Sequence, residues 1–177
     1  MDRRQRIANA GIALIARGGT HRLTHRAVDT EAGLPNGSTS YYARSRRDLI
    51  RLVMEQLSAE SQADLTDIEV PGKLTVRQAT DLVGRLAERL ILNGDAQAAR
   101  FALMFEVRDD DELRRELTVD APVRRSFDEK AVELLRTLGV ADLEEKAPEF
   151  VALVDAVLMY RAVDAAPIDP AGVVETY

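Results

Sequence analysis

Cysteine is absent from the 177 residues. Its absence excludes disulfides, thiolate metal sites and cysteine nucleophiles, and it fits a reducing cytoplasm. Histidine is almost as scarce, since His21 and His25 are the only two. A serine nucleophile would have to find its base in that pair, beside no obvious acid-orienting partner, and an imidazole metal site would have only these two ligands. The sequence also lacks a phosphate-binding glycine loop, a dinucleotide fingerprint, an internal repeat and a low-complexity tract. No apolar run approaches the roughly 20 residues that span a bilayer, and the start, MDRRQRIANA, is charged and amphipathic. These absences lead us to expect a cytoplasmic protein that is not an enzyme, uses no cofactor or metal and is not anchored in a membrane.

With 46% hydrophobic residues, the chain can bury a core as one large or two small domains. Its net charge of -6 is unevenly distributed. Residues 1–52 carry ten arginines against four acids, a net of +6, which leaves -12 for the remainder. A basic head on an acidic body attracts phosphate at one end and repels it at the other.

Apolar positions recur at three- and four-residue spacing, and no alternating strand pattern occurs, so the fold class is all-α. Ile7, Gly11, Leu14 and Ile15 share one face of a helix over Arg3 to Arg17. Ser45 and Asp48 form a capping-box variant that opens a helix reaching about Asp67. Thr75 caps a helix through Ile91 that stops at Asn93 and Gly94, and another runs from Asp95 to about Arg108. Asp109, Asp110 and Asp111 cannot all face one cation from a helix, and they read as a solvated cap before a short helix over Glu112 to Leu117. Pro122 opens a helix ended by Gly139, and the last runs from Leu143 or Pro148 to Ala165. The tail from Pro167 is expected to fray.

The most informative stretch is Leu23 to Asp48, LTHRAVDTEAGLPNGSTSYYARSRRD. Thr24 can cap a helix through Ala32, and Gly33 ends it where positive φ is needed. Pro35 and Asn36 would then open a second short helix carrying Gly37, Ser38, Thr39, Ser40, Tyr41 and Tyr42. Its face offers hydroxyls, an amide and a glycine, with no acid and no long apolar side chain. Such a face suits a major groove, where these groups can hydrogen-bond base edges.

In their order, Ile7, Ala8, Ala10, Leu14, Gly18, Gly19, Thr24, Val28, Ala32, Gly33, Leu34, Gly37, Tyr41, Tyr42, Arg44, Ser45, Arg46 and Leu49 resemble the N-terminal domain of the TetR family of bacterial transcriptional repressors. The resemblance covers the first third of the chain, and beyond it only the layout of helices is similar. It implies a three-helix helix-turn-helix DNA-binding domain over 1–46 and a helical ligand-binding and dimerisation domain over 47–177. Asn36, Gly37, Thr39, Ser40 and Tyr41 would approach bases or nearby backbone, Thr24, Arg26, Tyr42, Arg44 and Arg46 would hold phosphates and fix register, His25 would meet a phosphate or solvent, and Ser38 belongs to the same DNA-binding set. Arg46 stands where the family carries a phosphate-contacting Lys, and its fork suits phosphate. The chain departs from the family at Ser40 and at Ala43, which implies a smaller core wedge filled by a neighbour such as Tyr41.

The resemblance further implies a ligand pocket in the middle of the chain, for which Met54, Leu57, Leu86, Leu90, Phe101, Met104 and Phe105 are candidates; ordinary core is the alternative reading of the same residues. The last two helices would pair a homodimer through Phe127, Leu134, Leu138, Phe150, Val154, Val157 and Leu158, with Ala152 and Ala156 permitting close approach; burial within one subunit is the alternative. The partners implied are double-stranded DNA bearing an inverted-repeat operator, a second copy of the chain and a small-molecule effector that releases the repressor. A helical ligand carrier or enzyme with an incidental basic head, and a structural dimeric adaptor, are the rival classes.

Overall fold

The computed structural model describes residues 1–166 and 168–176, and every regular element among them is helical. In chain order these are α1 (Arg3–Gly18), a 3-10 turn (Thr20–Arg22), α2 (His25–Glu31), α3 (Ser38–Tyr42), α4 (Arg46–Thr66), α5 (Val76–Leu92), α6 (Gly94–Glu106), α7 (Asp111–Leu117), α8 (Pro122–Thr137), α9 (Leu143–Ala162) and α10 (Pro170–Thr176).

Side chains set most of these starts. Asp2 accepts from the Gln5 N–H while the Gln5 side chain accepts from the Asp2 N–H, a reciprocal box that opens α1. Thr24 accepts from the Ala27 N–H at 3.2 Å and starts α2. Ser45 and Asp48 exchange side-chain and backbone bonds at 3.0 and 3.1 Å, and Thr75 and Gln78 do the same for α5. The second short helix departs from expectation. Pro35 and Asn36 lie in a turn, and α3 begins only at Ser38, because Gly37 sits at φ +91 and breaks the helical phase.

The chain divides into two compact units. The first comprises residues 1–60 and 95–119, so α6 and α7 fold with the head. Its core joins Ile7, Leu23, Val28, Ala43, Leu49, Val53, Leu103 and Val107. The second comprises residues 61–94 and 120–177, where α8 lies along α9 and α5 packs on both α9 and α10. Ala79, Val83, Leu134, Leu135, Phe150 and Val151 form its core. The expected division at residues 46 and 47 does not coincide with the limits of these units.

The tail is another departure. Pro167 lies outside the described residues, but α10 follows it rather than frayed chain, because Asp169 accepts from the Ala171 and Gly172 N–H groups at 3.1 and 3.2 Å. Ala171 then meets Gly84 of α5. α9 starts at Leu143 and continues through Pro148.

Candidate functional site

In the head, α2 packs against both α1 and α3, and Val28 of α2 joins Leu49 and Val53 of α4 in one core. Asn36, Gly37, Ser40, Tyr41 and Tyr42 are exposed, and Ser38 is half-buried with its hydroxyl donating to the Pro35 carbonyl at 2.6 Å. Tyr41 is 83% exposed and meets Tyr42 edge-on, with ring centres 5.2 Å apart. It therefore does not fill the space beside Ala43, which is itself buried among Leu23 and Leu49.

Thr39 has the opposite placement from the expected base reader. It is wholly buried, and its hydroxyl donates to Asp29 Oδ1 at 2.6 Å. The Thr39 N–H donates to the same oxygen at 2.7 Å, and the Gly37 N–H to Asp29 Oδ2 at 2.7 Å. Burial alone would push the Asp29 carboxyl up, but these donors together hold it below its ordinary value. His25 also turns inward, with Nε2 donating to the Ala43 carbonyl at 2.8 Å, so that nitrogen is not free for a phosphate.

The arginines of the basic block fall into two sets. Arg6 donates to the Ala32 carbonyl at the end of α2, Arg4 pairs with Glu55, and Arg17 pairs with Glu31 at 2.7 Å. Arg47 forks onto Asp110 at 2.9 and 3.1 Å and reaches Glu112 at 2.7 Å, and Arg51 binds Glu116 and Glu112 at 2.8 to 3.0 Å. Arg46 bonds the Leu23 carbonyl at 2.7 Å, the Thr20 carbonyl at 3.0 Å and Glu106 at 2.8 Å. The fork expected to grip phosphate is thus spent inside the head. By contrast, Arg3, Arg22, Arg26 and Arg44 are exposed and carry no ion pair among the described residues.

The acids of this lattice respond to their cations. The Arg47 side chain, aided by the Leu113 N–H, lowers Asp110 to about 2. Arg46 and the Thr20 hydroxyl depress Glu106, and Arg51 depresses Glu116. Asp110 also caps α7 through that Leu113 N–H at 3.1 Å. The aspartate corner is therefore a helix cap and an arginine seat, and no acid cluster suited to a metal occurs among the described residues.

An apolar cleft, open to solvent on one side, lies within the second unit. Leu65, Leu82, Val83, Leu86, Phe127 and Phe150 lie among its many apolar lining side chains, and Lys130 and Asp155 are its charged ones. Of the expected pocket residues only Leu86 lines it. Leu90 is buried in α5, while Met54 and Leu57 belong to the core of the first unit. Phe101 is buried under the Arg100 guanidinium, 4.3 Å from its ring centre, and Met104 and the 70%-exposed Phe105 face outward.

The helices expected to pair subunits also supply much of that cavity. Phe127, Leu134, Phe150, Val154 and Leu158 line it, Val157 is buried, and Leu138 borders a second depression beside Leu134. Exposed on α9 are Ala152, Ala156 and Tyr160, spaced by four residues. Among the described residues no helix is long and apolar enough to cross a membrane.

A family model described as "Tetracyclin repressor-like, C-terminal domain" matches residues 74–177. Among solved structures, a TetR-family member from Streptomyces coelicolor A3 is 24% identical, over 99% of this chain and 96% of its own, with a TM-score of 0.70. The multidrug binding protein EbrR complexed with ethidium is 24% identical over 99% of this chain and 96% of its own, with a TM-score of 0.64. FadR from Bacillus subtilis in complex with stearoyl-CoA is 14% identical over 97% and 93%, with a TM-score of 0.64. No curated protein matches the sequence. These structures share the fold, and the family model spans more than half of the chain. By that family model, an all-helical chain whose N-terminal head carries a helix-turn-helix belongs to the TetR family of transcriptional regulators.

Proposed function

We propose that the protein is a homodimeric repressor that binds an inverted-repeat operator and leaves it when a small apolar molecule enters the cavity of the second unit. The observation that carries this reading is the head's surface. Asn36, Ser40, Tyr41 and Tyr42 stand exposed on and beside α3, with Arg22, Arg26 and Arg44 in the same unit free of ion pairs among the described residues. Polar and aromatic tips suit base edges, and uncommitted guanidiniums suit phosphates. The phosphate role accordingly stays with Arg26 and Arg44, and with Thr24 and Tyr42, while Arg46 leaves the set because its guanidinium is held by Leu23, Thr20 and Glu106.

The lining of the cavity, apolar but for Lys130 and Asp155, favours a largely apolar effector. EbrR complexed with ethidium and FadR in complex with stearoyl-CoA share the fold with quite different ligands, so this cavity's own lining is the better guide. α4 supplies Leu65 to the cavity and Arg46, Arg47 and Arg51 to the head's ion pairs. One continuous helix thus connects ligand and reader, and a ligand that prefers one tilt of α4 shifts the population of heads that fit the operator. The exposed Ala152, Ala156 and Tyr160 face of α9 suits the two-fold contact.

Selection of bound sequences from random DNA tests the reading. A dimeric repressor enriches an inverted repeat, and apolar compounds that raise the thermal midpoint release it. Enrichment of no sequence at low and moderate salt would favour a ligand carrier.

A further inference from the structure

α3 is only five residues long, from Ser38 to Tyr42, and cannot hold its own geometry. An isolated helix of that length is far below what is stable in water. Its N-terminal cap residue is Gly37, which has no side chain to satisfy the first N–H groups. The missing acceptor comes from another helix. Asp29, on α2 and 1% exposed, receives the Gly37 N–H, the Thr39 N–H and the Thr39 hydroxyl at 2.7, 2.7 and 2.6 Å.

Each of these bonds constrains a different freedom. Gly37 fixes where α3 begins, the Thr39 N–H fixes its distance from α2, and the Thr39 hydroxyl fixes its rotation. Successive helical residues are turned by roughly 100°. With Thr39 pinned inward, Tyr41 is turned by roughly 200° from it and projects away, which agrees with its exposure of 83%. A slip of one residue would bury Ser40 and swing Tyr41 off the outer face. Bonds to a buried carboxylate are charge-assisted and short, so they tolerate little displacement. Leaving the carboxylate buried without them would be costly.

We infer that Asp29 is a positioning residue for sequence recognition: it caps α3 from α2 and, through Thr39, sets which side chains of α3 face the bases. The role rests on the reading of the head as a DNA reader. Asp29 touches no base itself, and neither does Thr39. Sequence preference nevertheless depends on both, whereas phosphate attraction does not.

The full-length chain provides the test. A duplex enriched from random DNA by the wild type and a scrambled duplex are titrated with wild type, Asp29→Ala, Asp29→Asn, Thr39→Val and Thr39→Ser at several salt concentrations. Asp29→Ala is expected to lower the ratio of specific to scrambled affinity by about tenfold or more, with the scrambled affinity and its salt slope unchanged. Thr39→Val loses the hydroxyl donor but keeps the backbone one, and should lower the ratio less. Thr39→Ser restores that donor and should stay near wild type. Asp29→Asn must turn its NH₂ toward one of three donors and should fall between wild type and Asp29→Ala. If Asp29→Ala fails to fold, the Thr39→Val and Thr39→Ser pair decides alone. An unchanged ratio in Asp29→Ala and Thr39→Val with only a lower thermal midpoint would reduce Asp29 to scaffold. A wild-type chain that enriches no sequence overturns the DNA-reading assignment, and this inference with it.

Discussion

Arg46 and Glu106, the first residue of α4 and the last of α6, are joined at 2.8 Å between Nη2 and Oε1. Glu106 also accepts from the Thr20 hydroxyl at 2.8 Å, and Arg46 spans to the Thr20 and Leu23 carbonyls. The pair fastens the 3-10 turn, α4 and α6 into one block. Arg46 is thereby a strut of the head rather than a hand extended to DNA.

Arg46→Ala should lower head stability by about 1 kcal/mol, since the pair and the bond to the Thr20 carbonyl are exposed while the bond to the Leu23 carbonyl is partly buried. The salt slope of DNA binding should stay unchanged. Arg26→Ala and Arg44→Ala should each reduce that slope by about one phosphate without moving the thermal midpoint. Titrations at four salt concentrations read both effects. A slope in Arg46→Ala that falls as it does in Arg44→Ala would show that Arg46 leaves Glu106 on DNA.

Acid should loosen the block that Arg46, Arg47 and Arg51 hold together. The carboxyls of Glu106, Asp110 and Glu116 lie below their ordinary values of 4.5, 3.8 and 4.5 in the folded chain. A depressed carboxyl adds stability that is complete above its unfolded value and disappears as pH falls through the folded one. For Asp110 that window runs from 3.8 down to about 2. Asp110→Asn should therefore be less stable than wild type at neutral pH and converge with it near the bottom of the window. Urea midpoints measured across the acid range check this, and parallel curves would remove Asp110 from the acid response.

Truncating the cavity wall should separate ligand binding from reading. Phe150→Ala should cost about 3–5 kcal/mol, as expected when a buried aromatic is deleted. Leu86→Trp places a larger ring against the half-open space and should abolish stabilisation by apolar compounds while DNA selection survives. Thermal shifts with the same compound panel decide it. A retained shift in Leu86→Trp would place the effector elsewhere.

Gly37→Ala should destabilise the head by about 1–2 kcal/mol. The cause is conformational alone, because φ is +91 and nothing lies close enough to crowd a β-carbon. Gly37→Asn should cost less, since asparagine tolerates the left-handed region better. Equal losses in the two variants, measured by thermal unfolding, would point to crowding instead.

Much of this architecture was legible in local sequence, because caps are local chemistry. Thr24, the Ser45 and Asp48 pair, and Thr75 announce helix starts within three or four residues, and the structure forms each of those bonds. What was not legible joins positions far apart. Thr39 reads as surface because it is a hydroxyl among hydroxyls, and only the carboxylate of Asp29 on the preceding helix turns it inward. Arg46 reads as a phosphate ligand because its acceptor, Glu106, lies 60 residues later. The stripe through Phe127, Leu134, Phe150 and Leu158 says that these faces are buried, but periodicity carries no information on whether the covering surface belongs to the same chain. Proline and glycine near the C-terminus suggest fraying, yet Pro170 suits a first helical turn and Asp169 caps it.

A β-carbon added at position 84 would lie 3.3 Å from the β-carbon of Ala171, so α5 and α10 approach one another at a point that tolerates almost no extra volume. Among relatives that keep α10, the residues corresponding to 84 and 171 should therefore change in concert. A larger side chain at one should be found opposite a glycine at the other, a pairing that an inventory of either helix alone would never reveal.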